Sequence, residues 1–300
     1  MNISGSEGLV AAGNIFMGMT ESPVLIKNYL PTMNRSEIFL VMVSGMGTIA
    51  GSVMGTYIGM LGGTDPAAKV LFATHLLSAS VMAVPGSIVL AKMLCPQTEE
   101  ATDHVAISGK EKENSNILDA ISSGTVTGVK LMTNIAAMLL VFISLVALAN
   151  YITEGVIGRY TGLNDWIVKI TDGKAQGLTF QFILGVITSP FMWLIGVPSQ
   201  DIMLVGSLLG QKTILNEFVA YFQLQQWKDA GLFMYEKSIL MSTYILCGFA
   251  NISSIGILLG GLGVLAPEKR GLISRIGLPA MIGGALVSVL SATIIGMILG

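Results

Sequence analysis

Six stretches of the chain carry no charged side chain: 38–64, 70–91, 131–153, 175–200, 238–267 and 276–300. A helix needs roughly 20 apolar residues to cross a bilayer, so each of these runs is long enough to span one. Between them, "CPQTEEATDHVAISGKEKENSN" (95–116) is polar and reads as a solvated loop that divides the chain into halves. Two segments are not simple spans. "EGLVAAGNIFMGMTESPVLIKNYLP" sets two short apolar arms around a polar, glycine-containing middle. The run 175–200 holds Pro190 and Pro198, then continues past Asp201 into "KTILNEFVAY". Arms of about a dozen residues are too short to cross, and predict re-entrant hairpins.

The halves repeat one plan. The first has a hairpin containing "MTES", then "MNRSEIFLVMVSGMGTIAGS", then a closing helix from Lys69. The second has a hairpin containing "LNEF", then "MYEKSILMSTYILCGFANISS", then a closing helix after Arg275. In each, a polar patch opens the helix, and a small, polar break follows about three turns later: Gly47-Thr48 and Ala250-Asn251. The run 131–153 crosses once between the copies, so the second is inverted. Inverted repeats with interrupted helices are how many secondary transporters build a midplane site. The predicted fold is an all-α polytopic membrane protein, an inverted repeat with two re-entrant hairpins and two interrupted transmembrane helices.

Composition agrees with a membrane setting. Of 300 residues, 52% are hydrophobic and 11% charged, against about 25% charged in a soluble domain. A net charge of −2 gives no basic footprint for nucleic acid. Cys95 and Cys247 form no CxxC pair and read as packing residues. The opening "MNISGSEGLVAAGN" lacks the basic n-region of a signal peptide. Loop lysines and arginines split almost evenly between the two faces, with Lys212 counted on the face holding Lys69 and Lys237. The slight excess on the other face marks it as cytoplasmic.

Buried charge selects the candidate chemistry. A carboxylate in the bilayer costs on the order of 3 kcal/mol on insertion scales, so Glu21 and Glu217, each at a hairpin middle, are functional candidates. The plain alternative pairs them with Lys27 and Lys212 at the membrane surface. Asn251 and Ser254, three positions apart, share a helix face. Unwinding near Gly248–Asn251 would add Phe249 to the same cavity; the alternative is interhelical glue, worth about 0.6 kcal/mol per contact. His75 packs with Ser78 on a closing helix, and His104 lies in the solvated loop. No Ser-His-acid order, HExxH, Walker loop or GxGxxG occurs, so the chain does not read as an enzyme.

"GNIFMGMTESPVLI", "MNRSE", "TIAGSV", "HLLSASVM", "LNEFVAY" and "CGFANISSIG" together resemble the concentrative nucleoside transporters over essentially the whole chain. The resemblance implies cation-coupled nucleoside import by an elevator-like mechanism, with sodium as coupling ion or, in some members, a proton. It implies a homotrimer, multi-pass in the plasma (inner) membrane and in contact with lipid, with no other cofactor. Its domains would be 1–94, a first transport repeat of hairpin, broken helix and closing helix, and 95–130, a polar loop and interfacial helix. A scaffold transmembrane helix would cover 131–156. A second transport repeat, 157–300, would add an interfacial helix to the same three parts.

Carried over by motif, Met19, Thr20, Glu21 and Val53 face the nucleobase, while Glu217, Phe249, Asn251 and Ser254 face the ribose. Sodium would take the side chains of Asn14 and Thr48 with carbonyls near Met17 and Ile49; hard oxygen donors suit an alkali cation. The family usually has Gln where this chain has Met19, which removes a base-edge hydrogen bond. Three scaffold helices that the family places before the first hairpin are expected beyond this chain. Two other readings are a non-transporting membrane binding or assembly subunit and a transporter of a non-nucleoside solute. An intramembrane enzyme using Glu21 and Glu217 would need a nucleophile that the sequence does not offer.

Overall fold

The computed structural model describes residues 3–100 and 116–300, apart from scattered positions between 120 and 146 and positions 172 and 174. The segment 101–115, with His104, and most of the run 131–153 lie outside the described residues. Every regular element among the described residues is helical.

Helix α1 (Gly5–Gly13) starts at a capping box: the Ser4 side chain accepts from the Glu7 amide, and Glu7 reaches back to the Ser4 amide. The chain then turns through a short 3-10 segment, Ser22–Ile26. A second capping box, Asn34 with Glu37, opens α2 (Arg35–Gly47). After an extended step at Thr48–Ala50 the chain resumes as α3 (Gly51–Gly62). Helix α4 (Pro66–Leu94) begins where Asp65 takes two backbone amides and proline occupies the first turn, a position that needs no N–H.

In the second half a π-helical segment, Tyr151–Gly158, leads through Arg159–Thr161 to α5 (Leu163–Ile170) and then α6 (Phe180–Leu194). Gly196, at φ +85°, supplies the left-handed residue that stops α6. There follow α7 (Ile202–Ile214), α8 (Glu217–Asp229), α9 (Glu236–Leu246), α10 (Ile252–Leu265) and α11 (Arg270–Ile298).

The charge-free runs overstate the number of unbroken spans. The run 238–267 unwinds at Cys247–Asn251 and becomes two helices, α9 and α10. The run 175–200 yields only the 15 residues of α6. By length and apolarity, Arg35–Gly62 (taken across its break), Pro66–Leu94 and Pro267–Ile298 can each cross a membrane.

Residues 1–105 and 183–300 form one compact unit, and 106–182 a second. In the first, α11 packs against α2, α4, α9 and α10. Helix α2 is buried from Ser36 to Gly47, which fits a helix apolar on all sides. Glycines set how closely these helices approach: a Cβ on Gly284 would lie 2.7 Å from that of Met46, and one on Gly47 would lie 3.1 Å from that of Val287. In the second unit the Asn164 amide joins separate turns, donating to the Glu154 carbonyl at 3.0 Å and accepting from the Leu178 amide at 3.0 Å.

Candidate functional site

An interrupted helix exposes carbonyls at one cut end and amides at the other, and each needs a partner when buried. Here one hydrogen bond joins the two breaks, and a second ties the first break to the segment after α1. The Phe249 amide donates to the Thr48 carbonyl at 3.2 Å, and the Gly51 amide donates to Phe16 of the first hairpin at 2.9 Å. Gly248 is obligatory at the crossing, since a Cβ there would lie 2.9 Å from the Met46 carbonyl oxygen and 2.8 Å from Ser288 Oγ.

Asn251 caps α10 rather than lying within it. Its Oδ1 accepts from the Ser254 amide at 2.9 Å, Ser254 Oγ at 3.0 Å and Ser253 Oγ at 2.6 Å. The cap turns its Nδ2 toward Glu217 Oε2 at 3.1 Å. Glu217 opens α8, held there by Asn216, whose side chain accepts from the Val219 amide at 2.9 Å. The other carboxylate oxygen, Oε1, accepts from Tyr57 of α3 at 3.2 Å. The Tyr57 ring stacks on Tyr221 with centroids 4.2 Å apart, and Tyr221 donates to the Thr243 carbonyl at 2.8 Å. Glu217, Asn251 and Ser254 are all buried. Helices α3, α8 and α10 thus bring a carboxylate, an amide and hydroxyls together where the sequence is otherwise apolar. Phe249 is half-buried in the second break beside Asn251.

A second polar group surrounds the first break. Asn14, buried at the end of α1, donates through Nδ2 to Ser44 Oγ at 3.0 Å. Its Oδ1 is buried with no protein partner. Thr48 donates to the Ser44 carbonyl at 3.0 Å, so its oxygen lone pairs are still available. Ile49 is fully buried next to it, and Met17 is half-buried in the turn after α1. An unfilled amide oxygen, hydroxyl oxygens and backbone carbonyls are hard donors of the kind a sodium ion takes.

The first hairpin middle forms the third group. The exposed Glu21 carboxylate accepts from Thr20 at 3.1 Å and folds back over Gly18. The Thr20 methyl approaches Gly261 of α10, whose Cβ position lies 3.2 Å away. Met19 is buried against Gly45 of α2, and Val53 is half-buried in the first turn of α3.

One sequence expectation needs correction. Lys212 is no surface charge: it is fully buried and donates to the Ile245 carbonyl at 2.8 Å and Ser288 Oγ at 2.9 Å. His75 has Tyr244 as partner, its Nδ1 lying 3.1 Å from the phenol oxygen. Tyr57, Ser44 and Ser288 escape the sequence reading. A hydroxyl in a small-residue helix looks like packing, and only the cross-chain pairings give these three a role.

Two interrupted apolar helices, tied at their breaks and holding a buried carboxylate–amide pair, describe a membrane protein with a polar site inside an apolar fold. The family described as Na+ dependent nucleoside transporter C-terminus matches residues 75–296, and the chain belongs to that family. It is 39% identical to an uncharacterized transporter of Haemophilus influenzae, covering 100% of this chain and 67% of that protein. It is also 39% identical to sodium/nucleoside cotransporter 1 of Rattus norvegicus, covering 99% of this chain and 45% of the rat protein. Among solved structures it resembles CNTnw in an inward-facing substrate-bound state, with a TM-score of 0.81 and 36% identity over 98% of this chain and 64% of that one. The chain therefore spans about two thirds of the Haemophilus relative's length and under half of the rat protein's.

Proposed function

We propose that the protein imports nucleosides across the plasma (inner) membrane with sodium as the coupling ion. The Glu217–Asn251 contact carries this reading. An ionised carboxylate accepts hydrogen bonds from paired hydroxyls, and an amide both donates and accepts, which is the pairing a ribose needs when it leaves water. Ser254 and the ring of Phe249 complete the sugar side, and Tyr57 orients the carboxylate. Met19, Thr20, Glu21 and Val53 form the base side.

Sodium is supported by the unfilled Asn14 Oδ1 beside Thr48, by the carbonyls near Met17 and Ile49, and by the names of the mammalian relatives. The inverted repeat is supported by matched parts: a short hairpin, a helix broken by an extended step, and a closing helix of 29 residues in each half. On this reading the transport repeats are 1–94 and 157–300, with 95–130 and 131–156 between them. The hairpins are re-entrant and move together with the broken helices as one elevator-like body. Neighbours described as inward-facing, outward-facing and intermediate states of CNTnw support such alternation. The working assembly is a homotrimer.

Uptake of labelled uridine and adenosine into vesicles, with sodium present or replaced by choline, tests the proposal. Concentrative uptake only with sodium is the expected result. Uptake that follows a pH gradient and ignores sodium would assign the coupling to protons, and no uptake under either gradient would refute the import function.

A further inference from the structure

Lys212 lies in the last turn of α7, completely buried, close enough to Glu217 for the two charges to interact but with no hydrogen bond to it. A buried ammonium ordinarily sits against a carboxylate. This one instead donates to two uncharged oxygens, the Ile245 carbonyl and Ser288 Oγ. Ile245 is the penultimate residue of α9, so its carbonyl is one of those the interrupted helix leaves without an amide partner. That cut end also carries the negative pole of the helix. Ser288 extends the arrangement by donating to the next exposed carbonyl, Cys247, at 3.2 Å. One ammonium thus joins a hairpin arm, the carbonyl end of a broken helix and the closing helix α11.

The first break is built differently. There the cut end of α2 is met by neutral groups, Thr48 on the Ser44 carbonyl and the Phe249 amide on the Thr48 carbonyl, with the Asn14 acceptor left unfilled nearby. Two cut helix ends of the same kind therefore face two kinds of partner: a covalently attached cation at one and unsatisfied oxygen at the other. We infer that Lys212 is a built-in cation, holding the second break in its binding-competent form as a mobile ion holds the first, so that the second break takes no ion of its own. The comparison with a mobile ion rests on the sodium reading of the first break. Lys212 is a positioning residue: through Ile245 and Ser288 it fixes the segment that carries Phe249 and Asn251.

The test uses thermal unfolding of the purified full chain, with Lys212→Ala extracted both with and without methylammonium. Lys212→Ala should melt several degrees below the unsubstituted protein. Methylammonium, small enough to enter the space vacated by the side chain, should raise its melting temperature well beyond any effect on the unsubstituted chain, and choline should not. Lys212→Met keeps the stem, loses the charge and blocks that space. It should be destabilised and insensitive to methylammonium. A Lys212→Met protein as stable as the unsubstituted one would overturn the inference. So would a Lys212→Ala protein that methylammonium fails to stabilise, or that stays unfolded when extracted in its presence. The readout does not depend on solute uptake, so absence of uridine uptake by the unsubstituted chain would count against the import function and leave this inference standing.

Discussion

The amide of Phe249 and the carbonyl of Thr48 are hydrogen-bonded at 3.2 Å, which makes the two helix interruptions a single structural feature. Gly248 permits that contact, because a Cβ there meets backbone atoms that cannot rotate away: the Met46 carbonyl oxygen at 2.9 Å and the Gly47 carbonyl carbon at 3.1 Å. Gly248→Ala should therefore destabilise the protein by about 1–3 kcal/mol, as forced overpacking does. Gly256→Ala, on α10 with nothing within 4 Å of its Cβ position, serves as control and should be neutral or slightly stabilising. Thermal unfolding of the two variants measures the difference. Equal melting temperatures would show that the breaks do not depend on close contact.

The base of the first hairpin offers a separate test. Lys92 Nζ lies 2.6 Å from Glu7 Oε1 and also donates to Ser36 and Gln97, while Glu7 Oε2 caps its own helix. Glu7 is 0% and Lys92 9% exposed, so removing one charge strands the other. Lys92→Met should cost about 3–5 kcal/mol. Adding Glu7→Gln, which keeps the cap and drops the charge, should recover much of that loss. A double-mutant cycle by thermal unfolding reads the coupling, and strictly additive losses would contradict it.

Thr48→Val removes one oxygen from the first break while keeping its shape. Half-maximal uridine uptake should then require about tenfold more sodium, equivalent to about 1.4 kcal/mol, with maximal uptake retained. A sodium titration of uptake decides this, and an unchanged half-saturation value would remove Thr48 from the ion site.

The sequence marks much of this arrangement and misses the rest for identifiable reasons. Asn251 and Ser254 stand out because an amide and hydroxyls interrupt thirty uncharged positions, and Asn34 with Glu37 announces a helix start by spacing alone. The cap made by Asn251 is less visible, since spacing by three is shared by helix faces and helix starts. The charge-free runs hide their own breaks: no proline marks Thr48–Ala50 or Cys247–Asn251, and the partners that satisfy the cut ends stand far from them in sequence, Phe16 for Gly51, Phe249 for Thr48 and Lys212 for Ile245. Lys212 misleads because a lysine between Gln211 and Thr213 looks like an interfacial residue. Its burial is set by carbonyls that only the fold presents to it.

The sugar side and the base side should differ in how they tolerate change. A 2′- or 3′-deoxy nucleoside leaves part of the Glu217–Asn251–Ser254 set unpaired, at about 1–3 kcal/mol per buried group. Exchanging the base should cost less, because Met19, on the proposed base side, offers no hydrogen bond. Competition against labelled uridine, comparing deoxyribosides with ribosides of different bases, reads both. Deoxyribosides that compete as well as ribosides, alongside one strongly preferred base, would move selectivity to the first hairpin.

Equilibrium binding of uridine to the purified protein, with and without Glu217→Gln, reads the role of this carboxylate without any transport step. The substitution keeps the size of the side chain and removes the charge proposed to accept from the ribose. A ribose held by that charge requires that the variant fold, retain its melting temperature within a few degrees and lose uridine binding at least tenfold, as expected for a charge-assisted hydrogen bond worth about 1.5–3 kcal/mol. A Glu217→Gln protein that binds uridine as tightly as the unsubstituted chain would contradict it.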